Sequence, residues 1–254
     1  MTSACNPIEF LMIQFGCLVG YTKHISKEIN FAKENKFDFI QLWYDSNGLE
    51  IIARKSDEFK VLLEEKFPAI VHALLDIDEL SFHSRPIMDI AKRLHHKSVI
   101  IHPFSRDYSN SEQCKKLREI MENDYSQFMA NGIDVYVENN CRSHPLLYEP
   151  REIEYFFDSK CNFRFLLDIA HIDSYDHLED LVKTRYPDML HLADTHFAAE
   201  HEHLPIGQGE LDFTLIFSEY LDVFDGKIIF EITQSEEDIV NARLQIMNVL
   251  NTTR

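Results

Sequence analysis

The sequence predicts an α/β protein, a single (β/α)8 barrel with residues 1–254 as one domain. Three observations predict it. Eight short apolar runs recur 26 to 38 residues apart, the repeat of a strand plus its crossover helix. The runs are nearly continuous in apolar residues rather than alternating, as strands covered on both faces are. Stretches with apolar residues at three- and four-residue spacing follow seven of them. An open doubly wound sheet is the alternative; with only seven glycines and no GxGxxG or P-loop, the sequence disfavours it.

The first run, FLMIQFG from Phe10, has no Lys or Arg before it and is too short to span a bilayer. It reads as a buried strand, followed by a helix over Ile25–Glu34. DFIQLWY from Asp38 leads into a helix over Glu50–Glu65, whose Lys/Glu-rich part reads as a solvated face. AIVHALL from Ala69 precedes a helix over Ile87–His95, with His95 and His96 placed to cap its C-terminal dipole. SVIIHPF from Ser98 is paired with Glu112–Met129, IDVYVEN from Ile133 with Arg151–Phe157, and FRFLLDIAH from Phe163 with His177–Thr184. MLHLAD from Met189 runs instead into a long loop, Ala198–Leu211. KIIFEIT from Lys227 precedes Glu236–Leu250, where Ile239, Ala242, Ile246 and Leu250 form one stripe behind an acidic first turn.

Charge narrows the function. With 25 Lys and Arg against 43 Asp and Glu, the net charge of −18 argues against affinity built on neutralising phosphates. Apolar content of 45% and charged content of 27% exclude wholesale disorder. Five cysteines, Cys5, Cys17, Cys114, Cys141 and Cys161, are odd in number and contain no CxxC pair. A disulfide framework or zinc ribbon is disfavoured, and a reducing cytoplasm fits. Cys141, three residues past Glu138, carries no neighbouring mark of a nucleophile.

Barrel chemistry sits at the carboxyl ends of the strands. From the third run onward those ends carry His72, His102, Glu138, Asp168, His191 and Glu231. With 43 acids and 13 histidines among 254 residues, chance supplies all six about 2% of the time, allowing three positions per end. Taken singly, His72 or His102 reads as a hydrogen-bonded core residue, whereas each acid reads as a metal ligand, with half of an internal ion pair as the alternative. Together they would need six separate explanations, and basic residues near these runs are few. Six imidazoles between Asp168 and His203, among them His171, His201 and His203, add to the density. Such mixed imidazole and carboxylate donors suit Zn²⁺ or Mn²⁺, with Co²⁺ and Fe²⁺ also eligible, over Mg²⁺ or Ca²⁺. Trp43 stands where a substrate wall would be, though core packing is an equal reading.

Val137-Glu138-Asn139, Asp168-Ile-Ala-His171, His191-Leu-Ala-Asp194 and His203-Leu-Pro-Ile-Gly207-Gln-Gly209, in this order, resemble the xylose isomerase-like TIM barrel superfamily of sugar (phosphate) isomerases, epimerases and endonuclease IV. The resemblance to its ketose epimerases implies one divalent ion on Glu138, Asp168, His191 and Glu231. It also implies proton transfer beside a carbonyl through a metal-stabilised enediolate. Glu138 and Glu231 would be the catalytic acid and base, with His171 binding a sugar oxygen and Trp43, Asp194 and Arg142 as further substrate contacts. The resemblance to endonuclease IV implies up to three ions, using His72, His102, His171 and His203, with His201 standing where that enzyme has an aspartate.

Electrostatics weighs between these. From Tyr186 to Gly226 there are nine acids and no Lys or Arg, which removes phosphate steering from the seventh loop. The leading expectation is a metal-dependent isomerase or epimerase of a small-molecule sugar, neutral rather than phosphorylated, although Arg106 and Arg142 keep a phosphorylated sugar open. The alternatives are a zinc-dependent hydrolase of abasic-site DNA or another phosphodiester, and a barrel that binds metal and ligand without turnover. No membrane association is expected, a nucleic-acid partner is disfavoured, and homo-oligomerisation is left open.

Overall fold

The structure, a computed structural model, describes residues 13–20, 24–51, 57–106 and 112–253. The expected first-run residues Phe10–Met12, Cys5 and the middle of the second expected helix lie outside the described residues. Nine strands form: β1 (Gln14–Leu18), β2 (Phe39–Asp45), β3 (Gly48–Leu49), β4 (Ala69–Asp76), β5 (Ser98–Phe104), β6 (Asp134–Glu138), β7 (Arg164–Asp168), β8 (Met189–Leu192) and β9 (Lys227–Phe230). All but β3 pair in parallel, in the order β1-β9-β8-β7-β6-β5-β4-β2. Pairing of β1 with β2, Gly16 opposite Phe39, closes the ring. The expected eight-stranded barrel is therefore observed. β3 is an addition, a short antiparallel hairpin on β2 that turns at Gly48, whose φ of +99° suits glycine.

Around the barrel run α1 (Ile25–Glu34), α2 (Glu58–Glu65), α3 (Leu80–Arg93), α4 (Glu112–Ile120), α5 (Ser126–Ala130), α6 (Pro150–Phe156), α7 (Tyr175–Thr184), α8 (Phe213–Leu215) and α9 (Glu236–Thr253). A π-helical turn, Met121–Tyr125, joins α4 to α5. The residues between β8 and α8 form the expected long loop. In α9, Ile239, Ala242, Ile246 and Leu250 are the buried stripe.

Two expectations are corrected. α3 begins at Leu80, not Ile87, with Pro86 inside it. The sequence hides this because the buried face of its first two turns includes polar His83 and Ser84; Tyr44 Oη meets His83 Nδ1 at 2.7 Å. Nor does His96 cap that helix. It packs against Phe39, and burial pushes its pKa down to about 4, so it carries no cation for the dipole. Lys97 serves instead: its Nζ donates to the carbonyls of Lys92 at 2.7 Å and Leu94 at 3.0 Å.

Two apolar layers hold the fold. The larger lies between strands and helices; the smaller plugs the barrel interior and consists of Phe39, Ile70, Ile100, Tyr136, Leu166, Met189 and Ile229. Gly16 belongs to the same level, and a Cβ there would collide with the Phe39 ring, so this glycine makes room for the plug. Side chains on a strand alternate in and out, so the residue two further on faces inward one level higher. Applied to the seven plug residues, this rule gives Gln41, His72, His102, Glu138, Asp168, His191 and Glu231. The fold thus seals the barrel from below and presents a ring of polar groups above.

Candidate metal centre

That ring is buried. Glu138, Asp168 and His191 are each 0% exposed, and Glu231 only 8%. One donor atom from each of the four lies within 4.8 Å of the others. His72 and His102 join Glu138 in a second such group, His72, His191 and Glu231 form a third, and His171, His201 and His203 form a fourth. All nine residues expected as ligands are therefore gathered at one end of the barrel.

Hydrogen bonding fixes which atoms face inward. His171 Nδ1 lies 3.0 Å from the Asn139 carbonyl oxygen, and His203 Nδ1 lies 3.0 Å from that of Glu231. Carbonyl oxygens only accept, so both Nδ1 atoms carry the proton and both Nε2 atoms present lone pairs. Those lone pairs face Asp168 Oδ2 at 3.4 and 3.7 Å. Asn140 spends its amide hydrogens on the carbonyls of Pro103 and Leu146, both at 2.6 Å. Its Oδ1 therefore accepts from His102 Nε2 at 2.9 Å, leaving His102 Nδ1 as a lone pair 3.3 Å from Glu138 Oε2. His191 Nδ1 sits 3.1 Å from Glu138 Oε1 and 3.4 Å from Glu231 Oε1.

The centre is short of positive charge. His72 Nε2, Glu138 Oε2, Asp168 Oδ2, His171 Nε2 and His203 Nε2 are all buried without a hydrogen-bond partner. Lone pairs facing carboxylate oxygens in a low-dielectric interior repel unless a cation lies among them. Donors about 2.0–2.1 Å from a tetrahedral ion stand roughly 3.3 Å apart, which is the spacing found here. The donor set and its unpaired atoms fit a divalent metal ion.

Without an ion, protons carry part of that charge. Burial opposes a charged His72, but Glu138 and Glu231 outweigh it and push its pKa up to about 10. Against the same burial, Glu231 and Glu138 raise His191. Burial lowers His102 and His171 to about 4, keeping them neutral, and raises Asp168 to about 6. Burial would raise Glu138, but His102, His191 and His72 hold it well below the carboxylate range. Glu231 is lowered despite burial, chiefly by His191.

Above the ring opens a cavity of about 800 Å³. Trp43, Leu18, Leu74 and Phe104 form apolar wall, and no Lys or Arg is among the described lining residues. Trp43 meets His72 edge-on, with ring centroids 5.3 Å apart. The two other expected substrate contacts do not reach this wall. Arg142 is exposed and outside the lining, and Asp194 is fully buried. The Asp194 carboxylate instead accepts the backbone N–H groups of Thr195 at 2.9 Å, Gly207 at 2.7 Å and Leu211 at 3.1 Å. It thereby folds the loop that carries His201 and His203.

Three residues here went unnoticed in the sequence. Gln41, Asn139 and Asn140 are buried beside the ligand set and aim or support its members. Their amides are not strong metal donors, but the alternation rule alone identifies Gln41. Cys141, read as bland, lines the cavity beside Ser143 Oγ at 3.1 Å. Burial alone would raise its thiol, but hydrogen bonds led by His201 lower it to about 5.

Comparison with known proteins gives three findings. The profile of the xylose isomerase-like TIM barrel family matches residues 29–248. No curated protein matches the chain by sequence. Among solved structures, a D-tagatose 3-epimerase-like protein is similar at 18% identity and TM-score 0.73, covering 95% of this chain and 98% of its own. An L-ribulose 3-epimerase is similar at 14% identity and TM-score 0.74, covering 96% of each chain. A D-allulose 3-epimerase from Methylomonas sp., in complex with D-allulose, is similar at 14% identity and TM-score 0.71, covering 93% of this chain and 96% of its own. Among the described residues, no helix is long and apolar enough to cross a membrane.

Proposed function

The chain belongs to the xylose isomerase-like TIM barrel family, and from that premise we propose that it is a divalent-metal-dependent isomerase or epimerase of a sugar. The observation that carries the reading is the convergence of Glu138, Asp168, His191 and Glu231 in one buried cluster, of which Glu231 lines an open cavity. These four would hold the ion. A divalent ion there would supply a Lewis acid that stabilises negative charge developing on a carbonyl oxygen during deprotonation.

The chain's own groups do the rest. Glu138 and Glu231 are both held in the ionised form, the state a general base needs at neutral pH. One takes a proton from the carbon beside the carbonyl, and the electron pair moves toward the carbonyl oxygen. The other, after taking up a proton from solvent, delivers it to the opposite face, inverting that carbon, and the first releases its proton to solvent; delivery to the former carbonyl carbon, with the neighbouring hydroxyl proton passing to the other oxygen, gives the isomer instead. His171 is held neutral at the cavity wall, where it can bond a sugar hydroxyl. The Trp43 ring offers an apolar face to the C–H side of a sugar.

The described cavity lining holds no Lys or Arg, which favours a neutral sugar over a sugar phosphate. The test is hydrogen exchange in D₂O with a panel of ketoses and ketose phosphates on metal-loaded protein. Exchange of an α-hydrogen in at least one neutral ketose is expected; none across the panel would overturn the reading.

One observation keeps a second reading in view. Four overlapping donor groups rather than one suit a polynuclear zinc hydrolase of phosphodiesters. Nicking of an abasic duplex would support it, and the lack of Lys or Arg among the described lining residues argues against it.

A further inference from the structure

Gln41 stands third in β2, two residues above Phe39 of the plug, and is 1% exposed. Its amide touches three members of the ring. Nε2 lies 2.5 Å from Glu231 Oε1 and 3.0 Å from His72 Nδ1, and Oε1 lies 2.9 Å from His191 Nε2. We infer that Gln41 is a positioning residue that fixes Nδ1 of His191 as the metal-ligating atom and holds the Glu231 carboxylate toward the same centre. The inference rests on the metal-dependent reading above.

The argument is one of elimination among donors and acceptors. An ionised carboxylate only accepts, so the amide nitrogen of Gln41 must be the end that faces Glu231. The amide oxygen is thereby turned to His191 Nε2, which must donate. With the proton on Nε2, the lone pair is on Nδ1, and Nδ1 is the atom that faces Glu138 and Glu231 at 3.1 and 3.4 Å. One neutral side chain thus aims a carboxylate and an imidazole together and adds no charge of its own. A Glu here would place a further negative group against Glu231, and an aliphatic residue would leave Glu231 Oε1 and His191 Nε2 without this partner. Outer partners of this kind orient metal-bound histidines.

The experiment uses zinc alone as the probe. Long-range ¹H–¹⁵N spectra of histidine-labelled, zinc-loaded wild type should show His191 protonated at Nε2 and zinc-bound at Nδ1. Gln41→Leu should bind zinc about ten- to a hundredfold more weakly in a chelator competition. A His191 proton on Nδ1 in the zinc-loaded wild type would overturn the inference alone, as would Gln41→Leu that folds and binds zinc as tightly. A wild type that binds no zinc would overturn the parent reading with it. The wild-type spectra need no variant, so poor folding of Gln41→Leu leaves the inference open to refutation.

Discussion

His72 Nε2 and Glu138 Oε2 face each other at 3.0 Å at the polar end of the barrel, both buried. The Glu138 carboxylate meets His72 and His102 through one oxygen and His191 through the other, so two of the four donor groups share it. Glu138→Gln puts N–H donors in place of one of these oxygens. Elemental analysis should find the ion depleted, and α-hydrogen exchange should fall by about 10²–10⁴-fold. Retained metal with retained exchange would show that Glu138 has neither role.

Zinc uptake should release protons. With a pKa near 10, His72 is protonated in the metal-free centre at pH 8, and a divalent ion on Glu138 and Glu231 would offset the negative charge that holds that proton there. The apparent affinity should therefore rise with pH and level off above about pH 10. Titration calorimetry at pH 8 in buffers of differing ionisation enthalpy should report at least one proton released per chain. Affinity independent of pH would mean that His72 keeps its proton when the ion binds.

The loop after β8 should depend on Asp194. Removing its carboxylate in Asp194→Ala leaves three backbone N–H groups without their acceptor. At about 1–3 kcal/mol for each unsatisfied buried group, the expected loss is on the order of 3 kcal/mol or more, read from urea unfolding. Gly209→Ala should act through the same contact, because a Cβ there would collide with both Asp194 Oδ1 and the Thr195 carbonyl oxygen. Its unfolding midpoint should fall as well.

Neutral ketoses should outcompete their phosphates. Glu50 and Glu202 border the cavity, and its described lining offers a phosphate no cation. On steady-state kinetics with matched pairs, kcat/KM should be at least about tenfold higher for the neutral member. A preference for the phosphate would point to a cation outside the described lining.

Most of the barrel was legible because strands buried on both faces must be apolar almost throughout, and their spacing is set by the helix that returns the chain. The buried donor cluster was legible for a related reason: Glu138, Asp168 and Glu231 interrupt otherwise apolar runs at the ends where chemistry is placed. What the sequence hid was second-order. Asp194 is spelled like a site residue but is consumed by backbone amides, since a carboxylate in a tight loop finds N–H groups nearer than any ligand. Gln41 is spelled like a neutral core residue, yet the period-two alternation from Phe39 carries it into the ring. The π-turn between α4 and α5 and the early start of α3 turn on local hydrogen bonding and on buried polar groups such as His83, which apolar spacing does not encode.

The most direct test of the convergence is an anomalous difference map from crystals grown with Zn²⁺ or Mn²⁺. A peak within ligand distance of Glu138, Asp168, His191 and Glu231 is predicted, with the His191 contact made through Nδ1. A fully loaded crystal whose peaks all lie elsewhere would contradict the account and leave only the barrel standing.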